Sequence, residues 1–275
     1  YKLQAKYMIG VFDSGFGGLT VLKEFLKILP QYDYVYLGDN ARAPYGSKSE
    51  EVIYNYTKEA VEFLFKEGCG LVIIACNTAS AKTLRKIQQE YLSVSFPDKK
   101  VLGVIIPLVE EAGRQTRFKR IGLIGTRATI ESKTYESEIK KINSEAEIYG
   151  QACPLLVPLI EEGWTNRPET KMILRKYLRP LKEKKIGSLI LGCTHYPVLI
   201  KDIKAVLGKQ IKVFDSPKIV AEKLADYLKR HPEIESKLEK NGSRNFFTTD
   251  DADKFKNLGK KFLGEDVKEV KKIEF

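Results

Sequence analysis

The sequence predicts an α/β protein with two pseudo-symmetric α/β lobes, each built on a central parallel sheet, and a ligand cleft between them. Short apolar segments of strand length alternate along the chain with longer amphipathic segments of helix length, which is the pattern of parallel α/β units. Two of the apolar segments recur, in the same order, further along the chain. The alternation indicates the α/β class, and the recurrence indicates two related lobes.

The elements of the first lobe can be assigned in chain order. Each predicted strand is short and apolar and is followed by glycine or polar residues; these strands are residues 9–12, 34–37 and 71–75. The amphipathic segments between and after them predict helices at residues 18–29, 49–66 and 79–91. In the second helix, Ser47 or Ser49 is the expected N-cap, and Gly68 supplies the stop.

The two recurrences have nearly the same offset. Residues 9–14 resemble residues 121–126, and residues 70–78 resemble residues 187–194. One similar strand would be expected by chance, but two in the same order predict a duplicated α/β unit. We therefore assign residues 8–101 and 214–275 to the first lobe and residues 102–213 to the second. Residues 1–7 are expected to be an N-terminal extension or an added remnant, with the natural start at Met8.

The composition excludes several classes of protein. The chain has 275 residues, of which 43% are hydrophobic and 30% are charged, as in ordinary globular domains. No apolar run has the length of a membrane helix, and the N-terminus lacks the apolar core of a secretory signal, so we expect a cytoplasmic protein without membrane contact. The net charge of +11 permits a nucleic-acid partner, but lysines interleaved with acidic residues indicate a solvated surface instead.

Four cysteines, at positions 69, 76, 153 and 193, are expected to be free thiols. No Cys-x-x-Cys pair or histidine has metal-ligand spacing, so no metal site is expected. Cys76 and Cys193 stand at equivalent places in the two repeats, each after a buried strand and before a predicted helix. If the lobes face each other, the two thiols lie on opposite sides of one bound molecule and can invert a stereocentre by proton transfer. The alternative is that both are small buried apolar side chains.

Polar residues next to these cysteines are candidate ligands. Asp13 opens a glycine-rich turn and suits a substrate ammonium, or caps the following helix. Asn77, Thr78 and Thr194 suit carboxylates, with helix capping as the alternative. His195 is placed to tune or relay the proton of the Cys193 thiol.

Five motifs together resemble the cofactor-independent glutamate racemases, a group within the aspartate/glutamate racemase family. The resemblance spans the chain from Met8, and its motifs are Asp13-Ser-Gly-Phe-Gly-Gly-Leu-Thr-Val21, Gly38-Asp-Asn-Ala-Arg-Ala-Pro-Tyr-Gly46, Ala75-Cys-Asn-Thr-Ala-Ser80, Val157-Pro-Leu-Ile-Glu-Glu-Gly163 and Gly192-Cys-Thr-His-Tyr-Pro197. It implies L- and D-glutamate as substrate, no cofactor, a homodimer, and a product that feeds peptidoglycan synthesis, cell wall biogenesis and cell shape.

The resemblance also implies roles for individual residues. Cys76 and Cys193 would be the two acid/base groups, with the first-lobe thiolate acting on D-glutamate and the second-lobe thiolate on L-glutamate. Asp13, His195 and Glu161 would assist them, although Glu162 is adjacent and the assignment of the acid could move by one position. The implied substrate-binding residues are Asp13, Ser14, Tyr45, Gly46, Asn77, Thr78, Thr194 and His195.

Three other functions remain open at this point. A racemase of aspartate or of another amino acid would use the same paired thiols with a different pocket. A nucleic-acid-binding protein would leave both cysteine repeats unexplained. A two-lobe binding protein without catalysis would not need two thiols.

Overall fold

A computed structural model describes residues 7–115, 119–265 and 267–275. The expected N-terminal extension, residues 1–7, lies outside this part of the chain except for Tyr7, which forms a single bridge to Leu238. All the strand pairs in the described ranges are parallel. They form two separate sheets, and the predicted α/β class is confirmed.

The first sheet has six strands among the described residues. In chain order they are β1 (Met8–Asp13), β2 (Tyr34–Gly38), β3 (Cys69–Ile74), β4 (Lys100–Gly103), β9 (Arg244–Thr248) and β10 (Val270–Lys272). From one edge to the other they are arranged β10-β9-β2-β1-β3-β4. The C-terminal part of the chain therefore extends the sheet beside β2.

The second sheet repeats the arrangement of the first. Its strands in the described ranges are β5 (Arg120–Gly125), β6 (Glu147–Ala152), β7 (Ser188–Gly192) and β8 (Lys212–Val213), arranged β6-β5-β7-β8. This is the order of β2-β1-β3-β4 in the first sheet. The two recurring segments are β1 with β5 and β3 with β7, so the predicted pseudo-symmetry is present in the strand order.

Helices cover both sheets. They are α1 (Leu19–Ile28), α2 (Glu50–Lys66), α3 (Asn77–Lys86), α4 (Ser93–Ser95), α5 (Ile105–Arg114), α6 (Arg127–Glu131), α7 (Thr134–Ile142), α8 (Leu156–Glu161), α9 (Pro168–Glu183), α10 (Ile200–Leu207), α11 (Ser216–Arg230), α12 (Pro232–Glu235) and α13 (Ala252–Leu263). No helix among the described residues is long and apolar enough to cross a membrane.

The structure confirms one of the two predicted N-caps of the second helix and changes the bounds of the third. In α2 the N-cap is Ser49, whose side chain accepts a hydrogen bond from the Val52 N–H. The helix predicted at residues 79–91 begins earlier, directly after Cys76, and gives way to a π-helical turn at Ile87–Leu92. The earlier start places Cys76 itself at the helix N-terminus.

Helices pack the two lobes together. Helix α11 packs against α1 beside the first sheet and against α5 beside the second. The chain passes from the first sheet to the second between β4 and β5 and returns between β8 and β9. Strand β4 continues to Gly103, past the predicted boundary at residue 101, and the division into lobes at that residue stays a prediction.

Asp33 holds the start of β2 to the segment that leads into β9. Its buried carboxylate accepts hydrogen bonds from the Asn241 N–H at 2.9 Å, the Asn241 side-chain amide at 2.8 Å and the Ser243 N–H at 2.9 Å. Burial opposes the charge on this carboxylate, but the hydrogen bonds outweigh it and lower the pKa of Asp33. The pairing of β2 with β9 begins one residue later, at Tyr34 and Arg244.

We expect Asp33→Ala to reduce the free energy of unfolding by about 3 kcal/mol, because it removes three hydrogen bonds to a buried carboxylate. Since the folded pKa lies below the ordinary value of 3.8, the carboxylate contributes fully above that pH. Its contribution is lost as the pH falls below 3.8, so the two proteins should converge in acid. Urea unfolding at pH 7 and at pH 3 measures both effects.

The matched control is Asp98→Ala, which removes an exposed carboxylate from the loop before β4. It should change the unfolding free energy by no more than about 0.5 kcal/mol. Equal effects of the two substitutions would show that the hydrogen bonds of Asp33 do not stabilise the fold.

Candidate active site

A cavity of about 450 Å³ lies between the lobes, at the carboxyl ends of strands from both sheets. Ligands of open parallel sheets bind at such ends. Its walls contain both cysteines of the repeats and most of the polar residues that follow the strands. The predicted site residues that line it are Ser14, Tyr45, Gly46, Cys76, Asn77, Thr78, Glu161, Cys193, Thr194 and His195.

Cys76 caps the N-terminus of α3, directly after β3. Its sulfur accepts a hydrogen bond from the Ala79 N–H at 3.5 Å and lies 3.4 Å from the Ser14 hydroxyl. The side chain is only 5% exposed, and burial raises the pKa of the Cys76 thiol to about 12. The nearby Asp13 carboxylate acts in the same direction, whereas the two hydrogen-bond donors favour the thiolate. The first thiol therefore keeps its proton at neutral pH.

Cys193 has different neighbours, although it follows the equivalent strand, β7. Its sulfur lies 3.9 Å from Nδ1 of His195, and Nε2 of that histidine lies 2.8 Å from a carboxylate oxygen of Glu161. Burial by itself would lower the pKa of His195, but the contacts with Cys193 and Glu161 outweigh it and raise the pKa to about 10. The imidazole is therefore a cation at neutral pH, and it lies between the second sulfur and the Glu161 carboxylate.

The structure distinguishes two adjacent acids, Glu161 at the end of α8 and Glu162 at its C-cap. Glu161 lines the cavity and contacts His195, and its side chain is 31% exposed. Glu162 is exposed and does not line the cavity. The geometry therefore favours Glu161 as the acid near the second thiol.

Asp13 lies behind the cavity wall instead of in it. Its carboxylate is 1% exposed and accepts hydrogen bonds from the Gly15 N–H at 3.0 Å and from the Thr194 hydroxyl at 3.2 Å. Thr20 makes a second bond between the lobes, from its hydroxyl to the Thr194 carbonyl at 2.9 Å. Asp13 thus orients a residue of the opposite lobe, and its direct contact with a substrate ammonium stays a prediction.

The loop that carries Tyr45 and Gly46 forms one wall of the cavity. The Tyr45 hydroxyl donates a hydrogen bond to Asp39, which also accepts from Arg42 and from the Thr249 hydroxyl. The loop then passes very close to the opposite lobe. A Cβ atom at Gly46 would lie 2.7 Å from the Thr126 Cβ, so only glycine fits there without displacing its neighbour.

Asn77 and Thr78 form the first turn of α3 and bond to the second lobe. The Asn77 side-chain oxygen accepts a hydrogen bond from the Tyr135 hydroxyl at 2.6 Å. The Thr78 hydroxyl lies 2.8 Å from that of Thr126 and 3.3 Å from that of Thr129. These donors and acceptors lie beside the first thiol, where a substrate carboxylate could bind.

Several residues of the cavity wall are not among the residues predicted from the sequence. Thr126 occupies the repeat position equivalent to Ser14, and that equivalence could have identified it. Arg127, Asp250 and Lys254 bring further charges to the wall. No motif marks them, and two of them come from far along the chain: Asp250 lies between β9 and α13, and Lys254 lies in the first turn of α13.

Across the described residues, no group of three or more His, Cys, Asp or Glu side chains is placed to hold a metal ion. The four cysteines are free thiols in the structure, as predicted. The predicted independence from cofactors is not tested by this observation and stays a prediction.

Comparison with known proteins gives consistent matches over nearly the whole chain. The model of the Asp/Glu/hydantoin racemase family matches residues 9–224. A glutamate racemase of Geobacter metallireducens is 43% identical over 265 residues, 96% of each chain. A glutamate racemase of Aquifex aeolicus is 44% identical over 259 residues, 94% of this chain and 95% of that protein.

Comparison of the fold with solved structures gives the same result. The crystal structure of Francisella tularensis glutamate racemase in complex with D-glutamate superimposes with a TM-score of 0.88, at 34% identity and with 98% of both chains covered. The resemblance that the five motifs predicted is therefore confirmed, and the chain belongs to the Asp/Glu/hydantoin racemase family.

Proposed function

We propose that this protein is an isomerase that interconverts L- and D-glutamate by moving a proton to and from Cα, without a cofactor. The observation that carries the proposal is the placement of Cys76 and Cys193 on one cavity, each at the end of an equivalent strand. Curated relatives at 38–44% identity are named glutamate racemases, which favours glutamate over aspartate as the substrate. The racemase class itself follows from the family.

The reaction needs one base and one acid on opposite faces of the substrate. The thiolate of one cysteine takes the Cα proton, and the electron pair of the broken C–H bond stays on Cα, delocalised into the carboxylate. The thiol of the other cysteine gives its proton to the opposite face, which yields the other enantiomer. The two sulfurs have then exchanged protonation states, and proton exchange must restore them before the next turnover in the same direction.

The neighbours of the two sulfurs set a starting state for this cycle. Burial keeps Cys76 protonated, whereas the Cys193 sulfur lies 3.9 Å from the ring of His195, which is a cation at neutral pH. In the family that the motifs resemble, an acid on the first lobe and a base on the second are the pair that acts on L-glutamate. A protonated first thiol therefore suits the conversion of L- to D-glutamate.

The remaining polar groups stabilise the negative charge that develops on the substrate. The hydroxyls of Ser14 and Thr78 and the amide of Asn77 line the cavity as donors that are already in place. Such preorganised donors stabilise a carbanion-like transition state more than water does. Both sulfurs are less than 10% exposed, so the lobes must separate to admit the substrate and close again to exclude water.

Family membership supports a proposal for the cellular setting. We propose that the protein acts in the cytoplasm as a homodimer and supplies D-glutamate for peptidoglycan synthesis. Sedimentation velocity at several protein concentrations tests the dimer, which should sediment at twice the monomer mass of 31.3 kDa.

The decisive test of the function is proton exchange at Cα, followed by NMR. The purified protein, without added cofactor, is incubated in heavy water with L-glutamate, D-glutamate or L-aspartate. We expect loss of the Cα proton signal from both forms of glutamate, together with appearance of the opposite enantiomer. Exchange with aspartate alone would show that aspartate, and not glutamate, is the substrate. Exchange with none of the three would contradict the two-thiol mechanism.

Replacement of either catalytic thiol tests the mechanism directly. We expect Cys76→Ser and Cys193→Ser each to reduce kcat by about 10³-fold, because a serine hydroxyl is far too weak an acid to replace a thiol in proton transfer. Chiral chromatography of product formed from each enantiomer measures both directions.

Cys69→Ala is the matched control for these variants. Cys69 begins β3, and Cys76 follows the other end of that strand, so Cys69 is a buried thiol remote from the cavity. Its kcat should stay within a few-fold of the wild type. Loss of activity in folded Cys69→Ala, or full activity in either serine variant, would show that the catalytic thiols are wrongly assigned.

The charge on His195 predicts an alkaline limit to activity. The imidazolium stabilises the Cys193 thiolate and the charge on the substrate, so kcat/KM for L-glutamate should fall as the pH rises through about 10. Glu161→Gln removes an anion that stabilises the imidazolium, so the pKa of His195 drops and the fall should begin about 1 pH unit lower.

The control is Glu162→Gln, which changes the adjacent exposed acid. Titration of the substrate's own ammonium group affects both variants equally, so the difference between their pH profiles reports on the enzyme. An equal shift in both profiles, or a shift only for Glu162→Gln, would assign the auxiliary role to a different acid.

A further inference from the structure

A hydrogen bond joins the two lobes directly behind the cavity. Tyr135, on α7 of the second lobe, donates from its hydroxyl to the side-chain oxygen of Asn77 at 2.6 Å. Asn77 is the first residue of α3 and lines the cavity, whereas Tyr135 is 1% exposed and does not line it. Tyr135 can therefore act on a bound substrate only through Asn77.

The chemistry of the phenol sets the orientation of the Asn77 amide. Burial raises the pKa of Tyr135, so the hydroxyl keeps its proton. Within the described ranges, the Asn77 amide is the one hydrogen-bond partner of that hydroxyl. A buried donor needs an acceptor, and only the amide oxygen can accept. The side-chain nitrogen of Asn77 must then point away from Tyr135. Among the described residues it has no hydrogen-bond partner.

That nitrogen is available to a ligand. Among the described residues, the side-chain atoms that are both fully buried and unpartnered belong to Arg42 and Ser188. The Asn77 nitrogen has no partner and is not one of them, so it is partly exposed, and the cavity that Asn77 lines gives it that exposure. An amide nitrogen offers two donors, which suit a carboxylate oxygen. If the amide were reversed, its oxygen would face the substrate carboxylate and repel it.

Tyr135 itself is held by the strand that carries the second thiol. A Cβ atom at Gly192 would lie 3.6 Å from the Tyr135 ring, and Gly192 directly precedes Cys193. The same ring reaches across to the residue that directly follows Cys76. The orientation of the Asn77 amide therefore depends on how the two lobes are placed.

We propose that Tyr135 is a positioning residue, which holds the Asn77 amide with its N–H donors toward the substrate carboxylate when the lobes are closed. This inference rests on the proposed racemisation of glutamate. It adds to that function a residue that makes substrate binding depend on closure.

The test is Tyr135→Phe, which removes the hydroxyl and keeps the packing of the ring. We expect kcat/KM for both enantiomers of glutamate to fall about 10- to 100-fold, since the lost bond orients a donor to a charged group. Most of the change should appear in KM, because the amide binds the carboxylate before and during proton transfer.

Tyr34→Phe is the matched control. Tyr34 is as deeply buried, and its hydroxyl donates to the Leu29 carbonyl at 3.0 Å, away from the cavity. Both variants lose one buried hydroxyl bond, so their melting temperatures should fall by similar amounts. The KM of Tyr34→Phe should match the wild type. A KM that rises equally in both variants would indicate a general structural effect and overturn the proposal.

A double-mutant cycle shows whether Tyr135 acts through Asn77. In an Asn77→Ala background, Tyr135→Phe should cause no further loss. Where turnover is too slow to measure, the Kd for D-glutamate from isothermal titration calorimetry replaces kcat/KM. Multiplicative penalties, or a Tyr135→Phe enzyme with wild-type constants, would overturn the proposal. A wild-type protein that does not racemise glutamate would instead contradict the proposed function.

Discussion

The geometry of this site depends on the repetition of one strand arrangement in two facing sheets. Cys76 follows β3, which pairs with β1 in the first sheet, and Cys193 follows β7, which pairs with β5 in the second. The carboxyl ends of both sets of strands meet at one cavity. Two bases on opposite faces of a substrate require two groups that approach from opposite directions, and a single sheet edge cannot supply both. The duplication brings Cys76 and Cys193 to the same cavity from different lobes, and the other polar groups are arranged around them.

Equivalent placement does not give the two thiols equivalent chemistry. Cys76 lies near a hydroxyl, a backbone N–H and the Asp13 carboxylate, and burial dominates its pKa. Cys193 lies beside His195, whose charge is maintained by Glu161. The proposed two-thiol mechanism needs unequal surroundings, because one sulfur must hold a proton when the other does not. The symmetry of the fold supplies the positions of the two thiols, and their neighbours make the two surroundings different.

Several of the contacts that complete the site cross between the lobes. Thr20 and Asp13 of the first lobe bond to Thr194, and Thr78 bonds to hydroxyls of the second lobe. Such bonds are short-range and directional, and each contributes only about 1 kcal/mol. Bonds of this strength can break and form again, as the proposed opening and closing of the lobes requires. The Tyr135 hydroxyl belongs to the same class of contact.

The sequence by itself determined the α/β class, the duplicated unit and the pair of thiols, because buried parallel strands are short apolar runs and the repeat preserves their ends. It also determined most of the cavity wall through motifs that follow the strands. Only the tertiary structure decided that Glu161 and not Glu162 contacts His195, since adjacent residues on a helix point about 100° apart. It also decided that Asp13 lies behind the wall and that Tyr135 reaches Asn77, because these contacts join segments far apart in the chain, and no local pattern encodes their distance.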